Sequence, residues 1–258
     1  MRIVIAGAGG KMGRALAEAV LADASLTLAA AFDVAGSPAV GTTAGKIMIG
    51  SDASAAIGSG DVLLDFTRPE GTLEHLRACV KAGRAMVIGT TGLSPEQRRV
   101  VGEAAKKIPI VFSPNFAVGV NVVFKLAETA AKALGDAYDV EIVEAHHRQK
   151  VDAPSGTALE LGRLAAAALG RDLAKHAVHG RRGDTGARPP KAIGFHAIRG
   201  GDIVGEHTVI FAGVGERVEV TVRSQSRATY AAGALRAAKW LEGRAPGLYG
   251  MGDVLGLK

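Results

Sequence analysis

Short runs of consecutive apolar residues alternate with stretches of helical period along the first part of the chain. The runs predict strands over residues 3–6, 26–33, 61–67, 85–90 and 108–112. Between them the pattern predicts helices over 11–22 and 70–81, and a third helix with Pro95 in its first turn. Apolar strands separated by helices predict a parallel sheet covered on both faces. The expected fold class is therefore α/β, a Rossmann-like, doubly wound parallel sheet.

After Asn115 the pattern changes. An Ala-rich helix over 120–134 leads into a strand over 139–145 and a helix over 157–169. A loop rich in Gly, Arg and Pro follows at 180–191, then strands over 192–198, 203–211 and 217–223. Val218, Val220 and Val222 alternate with Glu219, Thr221 and Arg223, which gives one apolar face, expected to pack on a partner subunit. A final helix over 229–242 is Ala-rich again and is expected to close back on the first domain. The expectation is two domains, 1–117 with 228–258 and 118–227, the second an α+β domain with a mixed or antiparallel sheet. No internal repeat is visible.

A chain of 258 residues, 48% hydrophobic, can build such cores, and 22% charged residues without a low-complexity tract exclude a disordered class. No stretch approaches the roughly 20 apolar residues of a membrane span, and the start runs straight into Gly7 without a signal core. Cys79 is the single cysteine, which excludes an internal disulfide and a Cys-rich zinc site. A reducing cytoplasm and a core position for Cys79 are expected. The formal charge of +6 is scattered, with concentrations only at 146–150 and 181–191, and aromatics are 4%. That pattern suits a small anion; neither nucleic acid nor membrane is expected as a partner.

Residues 3–13 read as a strand, a glycine turn and a helix start: Gly7, Ala8, Gly9, Gly10, Lys11 and Met12, then Gly13. Glycines let the backbone approach a pyrophosphate, whose charge meets the helix N-terminus. The last glycine comes one place later than the strict spacing. Asp33, at the end of the second strand, can accept bonds from an adenosine ribose. Its carboxylate favours NADH over NADPH, and Val34 offers no phosphate clamp, although Lys11 and Arg68 leave NADPH use open. Two loops at the carboxyl edge, Gly89-Thr90-Thr91 and Ser113-Pro114-Asn115-Phe116, suit the border of a nicotinamide and equally suit ordinary turns.

Residues 144–158 hold His146, His147, Arg148 and Lys150 at the end of a strand, before Pro154-Ser155-Gly156-Thr157 opens a helix. A helix N-terminus with hydroxyls, flanked by cations, is a site for a small di-anion. The adjacent histidines lack a metal partner at ligand spacing, so no metal is expected. Ser155 lacks the elbow of a nucleophile and reads as a helix cap.

These stretches, with Asp65-Phe66-Thr67-Arg68-Pro69, residues 115–121 and residues 201–208, together resemble the dihydrodipicolinate reductase family over nearly the whole chain. The resemblance implies NAD(P)H-dependent reduction of 4-hydroxy-tetrahydrodipicolinate to tetrahydrodipicolinate, on the diaminopimelate route to lysine. It implies that Gly7 to Met12 hold the pyrophosphate and Asp33 the ribose. Phe66, Arg68, Gly89, Thr90, Thr91, Ser113, Pro114, Asn115 and Phe116 would complete the cofactor site. His146 and Lys150 would be catalytic, and His147, Ser155, Gly156 and Thr157 would bind substrate. A homotetramer joined through the second domain is implied as well. Val34 stands where some members carry arginine, and Gln149 where some carry histidine.

The chemistry agrees, because a ring with two carboxylates calls for cations and helix-end donors, and hydride delivery calls for a proton donor. Lys150 gives up a proton more readily where cations such as His146, His147 and Arg148 disfavour its charge. Two other readings share the fold: a dinucleotide-binding sensor without the reaction, and a dehydrogenase of an aspartate-like dicarboxylate.

Overall fold

The apolar run at the N-terminus becomes β1 (Arg2–Ala6), in which Ile3, Val4, Ile5 and Ala6 are all buried. Ile3 and Ile5 enter one core layer, Val4 and Ala6 the other. A strand buried on both faces has no polar side, which is why its sequence does not alternate. The computed structural model describes residues 1–257. Two compact units divide them, Met1–Val118 with the stretch from Arg227, and Gly119–Ser226.

The first unit continues through α1 (Lys11–Ala22), β2 (Thr27–Phe32), β3 (Thr43–Ala44), β4 (Ile47–Gly50) and α2 (Ala53–Gly58). Then come β5 (Val62–Asp65), α3 (Pro69–Ala82), β6 (Ala85–Ile88), α4 (Pro95–Ala105) and β7 (Pro109–Phe112). The second unit contains most of α5 (Val118–Leu134), then β8 (Asp139–His146), α6 (Gly156–Ala168), α7 (Leu173–His176) and β9 (Ala177–His179). It ends with β10 (Ile193–Arg199), β11 (Gly205–Ala212) and β12 (Arg217–Ser224). The chain returns to the first unit with α8 (Ala228–Trp240), β13 (Gly247–Tyr249) and α9 (Met251–Leu255).

The first sheet runs β13-β7-β6-β5-β1-β2-β4-β3. Every pairing in it is parallel except that of β3 with β4, so the doubly wound expectation holds. Strand order reverses between β1 and β5, and in such sheets ligands bind outside the carboxyl ends at that point. Cys79 is fully buried, and burial pushes its thiol up to about 12. It is a core residue.

The second sheet runs β12-β11-β8-β10-β9 and is mixed, with β8 parallel to β10 and antiparallel to β11. The valine face of β12 lies on the side of the sheet that carries the unit's own helices. The register puts Val218, Val220 and Val222 on the same side as Ile142, Val209 and Phe195, the side on which the unit's own helices lie. A Cβ on Gly119 of α5 would touch Val222 at 3.5 Å, and one on Gly162 of α6 would overlap Phe195 at 2.4 Å. Val220 and Val222 are half-buried on that side, while Val218 stays exposed. The other side carries Glu206, Thr208, Glu219, Thr221 and Arg223.

Residues 34–60, where the pattern predicts no element, form β3, β4 and α2. These pieces are too short to show a period. The same is true of β13 and α9, beyond the last predicted helix. Among the described residues no helix is long and apolar enough to cross a membrane.

Candidate active site

In the first unit, α1 starts at Lys11 behind the N-cap Gly10, and no side chain caps its first turn. Gly7 sits at φ +64°, and a Cβ on Gly13 would lie 2.2 Å from the Gly7 carbonyl, so helix and turn close up only on glycine. At Gly9 a Cβ would come within 2.4 Å of Ala39 and 2.8 Å of Asp33 Oδ2. The structure joins the loop to its acidic partner directly. Gly9 N–H donates to Asp33 Oδ2 at 2.9 Å, and Val34 N–H donates to Oδ1 at 2.8 Å. Ala8 is buried, Met12 half-buried, and Lys11 exposed. This backbone cradle beside a carboxylate fits a dinucleotide.

At the carboxyl edge, the Phe66 ring lies where a Cβ on Gly89 would fall, at 2.1 Å, and meets Phe116 edge-on at 5.2 Å between centroids. Ser113 Oγ donates to the Asn115 carbonyl at 2.8 Å, and Asn115 Oδ1 accepts from Ala117 N–H at 2.9 Å. Arg68, Thr91 and Pro114 stand exposed. Thr90 is buried, and its hydroxyl lies 2.7 Å from that of Thr72. Its side chain faces the protein interior.

In the second unit, the buried end of β8 organises the cations. Glu144 and His146, two residues apart on a strand, share a face, and His146 Nδ1 meets Glu144 Oε2 at 2.6 Å. Arg199, at the end of β10, grips both Glu144 oxygens at 2.7 Å and also donates to the Asp152 carbonyl at 2.7 Å. Ser155 N–H donates to Glu144 Oε1 at 3.2 Å. Ser155 Oγ caps α6 at Ala158 N–H and lies 2.9 Å from His207 Nε2. Ser155 is thus a cap, and the positive end of the α6 dipole opens at Gly156 and Thr157.

The electrostatics follow from these contacts. Burial lowers His146, against the raising influence of Glu144. Burial, with the charge of His146 beside it, holds His207 down at about 4. For Glu144, burial works against the charge, but the bonds from Arg199 and His146 outweigh it and the carboxyl is lowered. With its Nδ1 turned to a carboxylate, His146 has Nε2 as its other titrating nitrogen. Lys150 Nζ donates to Asp152 Oδ1 at 2.8 Å, so its immediate partner is an anion, not the cations expected from sequence. His147 is half-buried, with no partner for its buried Nδ1. Among the described residues no group of three or more His, Cys, Asp or Glu is placed to hold a metal.

Glu144, Arg199 and His207 adjoin the candidate residues and were not among the expected site residues. Glu144 carried a signal, the two-residue spacing to His146. Arg199 carried none, because it reaches Glu144 across 55 residues of sequence; His207 lies in the 201–208 stretch of the resemblance, but its contact with Ser155, 52 residues away, carried no sign.

Fold and site together define a two-domain α/β protein with a nucleotide-type glycine turn in one unit and an anion-type cluster in the other. The comparisons with known proteins sharpen this. The pattern described as dihydrodipicolinate reductase, N-terminus, matches residues 1–116, and that described as dihydrodipicolinate reductase, C-terminus, matches 119–255. The chain belongs to the dihydrodipicolinate reductase family. It is 59% identical to the 4-hydroxy-tetrahydrodipicolinate reductase of Dechloromonas aromatica, over all of this chain and 98% of that one. The enzyme of the same name from Thiobacillus denitrificans is 57% identical, over all of this chain and 99% of its own. Among solved structures, a dipicolinate-bound dihydrodipicolinate reductase from Paenisporosarcina sp. TG-14 matches with a TM-score of 0.78 at 26% identity, over 98% of each chain.

Proposed function

We propose that this protein reduces 4-hydroxy-tetrahydrodipicolinate to tetrahydrodipicolinate with NAD(P)H, in the diaminopimelate route to lysine. The observation that carries the reading is the Glu144-held His146, beside Lys150 and the start of α6 at Ser155-Gly156-Thr157, in a chain that matches the family from end to end. The net change replaces a ring C–OH by C–H, consuming a hydride and a proton and releasing water. The reduced nicotinamide, when bound, supplies the hydride. His146 and Lys150 hold and deliver the proton, and Arg199 keeps Glu144 charged so that His146 stays oriented. His147 contacts the substrate, and Ser155, Gly156 and Thr157 bind one of its carboxylates at the positive end of α6.

Gly7 to Met12 hold the pyrophosphate and Asp33 the adenosine ribose. Phe66, Arg68, Gly89 to Thr91 and Ser113 to Phe116 border the remainder of the cofactor. NADH is the favoured cofactor, since a carboxylate at Asp33 repels a ribose phosphate; the exposed Lys11 and Arg68 leave NADPH accepted. The chain works in the cytoplasm without a metal, as a homotetramer joined through the second unit. The open polar side of that unit's sheet supports the assembly.

The test is oxidation of NADH and of NADPH, each followed with freshly generated 4-hydroxy-tetrahydrodipicolinate. Turnover with faster use of NADH is expected. No oxidation of either, in protein that binds NADH tightly, would overturn the reading in favour of a sensor.

A further inference from the structure

The carboxyl edge of the first sheet holds a buried charge that the reaction does not use. Asp65 ends β5 with no exposed surface, between Ala6 of β1 and Ile88 of β6. It therefore stands at the point where strand order reverses. Its Oδ1 accepts the Thr67 hydroxyl at 2.6 Å and Thr67 N–H at 3.0 Å, with the hydroxyls of Thr72 and Thr90 each at 3.2 Å. Its Oδ2 meets His75 Nδ1 at 2.7 Å. The Thr67 amide is shared with the Thr90 hydroxyl at 3.0 Å. On its other side, the His75 ring meets Phe32 edge-on at 4.9 Å, and Phe32 is the residue before Asp33.

Burying a carboxylate is costly unless it is fully hydrogen-bonded, and an apolar side chain would fill the same space at less expense. What hydrogen bonds add is direction. This carboxylate ties together the loop after β5, the loop after β6 and α3, and through His75 it touches the end of β2. Those are the segments that carry Phe66, Arg68, Thr91 and Asp33.

We infer that Asp65, braced by His75 and Thr72, is a positioning residue for the dinucleotide: it sets the spacing of the loops that border the cofactor and leaves the dicarboxylate site untouched. The inference rests on the cofactor reading above.

NADH affinity, read from the fluorescence of the bound nucleotide, tests it in Asp65→Asn, His75→Leu, His75→Asn and Thr72→Val. Dipicolinate affinity is measured in parallel at saturating NADH, with KM for each substrate. Misplacing such loops should weaken NADH roughly ten-fold in Asp65→Asn, and about three-fold in His75→Leu and Thr72→Val. His75→Asn restores a donor and should recover most of the loss. KM for NADH should rise while dipicolinate affinity and KM for the ring substrate hold. Unchanged NADH affinity in folded variants whose melting temperature falls would overturn the inference, and so would equal weakening of both ligands. Should Asp65→Asn fail to fold, His75→Leu and Thr72→Val decide. NADH binding is read without turnover, so a chain that binds NADH normally and reduces nothing would count against the proposed reaction, not against this inference.

Discussion

The two candidate sites, one in each unit, are built by opposite means. The first is built from backbone and from missing side chains: Gly9 and Gly13 leave no room for a Cβ, and Gly89 seats the Phe66 ring. The second is built from charge, with Glu144 buried among Arg199, His146 and Ser155. A backbone cradle tolerates no added atom but asks little of its surroundings. A charged cluster tolerates no missing partner, because an unpaired buried charge is costly. The first unit is therefore fragile to bulk, and the second to neutralisation and to pH.

The largest break should come from the charged side. Lys150→Ala is expected to lower turnover by roughly 10² to 10⁴, with NADH affinity almost unchanged, as steady-state rates and nucleotide titration will report. Unchanged turnover would remove Lys150 from the chemistry. Glu144→Gln should cost roughly 10² in kcat, since His146 loses its orienting charge. Because Glu144 raises His146, and His146 acts in its protonated form, the alkaline limb of the rate profile should also move to lower pH. A profile that stays in place would mean that Glu144 acts on folding alone.

The backbone side should respond to one added methyl. Gly9→Ala drives a Cβ to 2.4 Å from Ala39. Overpacking costs about 1–3 kcal/mol, so NADH binding should weaken roughly ten-fold or more. Dipicolinate affinity at saturating NADH should be kept. Equal loss of both ligands would erase the contrast between the units.

A further effect, on stability and not on ligand affinity, is expected from pH. His207 has a folded value of about 4 against an ordinary 6.5, so the stability tied to its neutral form is complete above about pH 6.5 and is lost as pH falls toward about 4. A shift of that size corresponds to about 3 kcal/mol. Urea midpoints at pH 7 and pH 4.5 should therefore converge in His207→Gln and diverge in the parent. The smallest effect belongs to Glu141, which binds Arg181, Arg188 and His196 and so pins the loop at 180–191. Glu141→Gln should speed proteolysis within that loop while turnover holds.

Much of this was legible in the sequence, because some signals are local. A strand buried on both faces needs an unbroken apolar run, a turn packed tightly against its helix needs glycine, and a helix start needs a small polar cap. Those requirements wrote β1, the turn at Gly7 to Gly13, and the run from His146 to Thr157 into neighbouring positions. The alternating valines of β12 were equally visible, but alternation says that one face is buried without saying against what. Only the tertiary structure turned it toward α5 and α6. The same limit hid the residues that brace the sites. β8 lies between β10 and β11, and that placement alone brings Arg199 and His207 to Glu144 and Ser155. Asp65, His75, Thr72 and Thr90 likewise meet only when β5, β6 and α3 pack. Strand order follows from burial summed over the whole domain, and no window of sequence contains it.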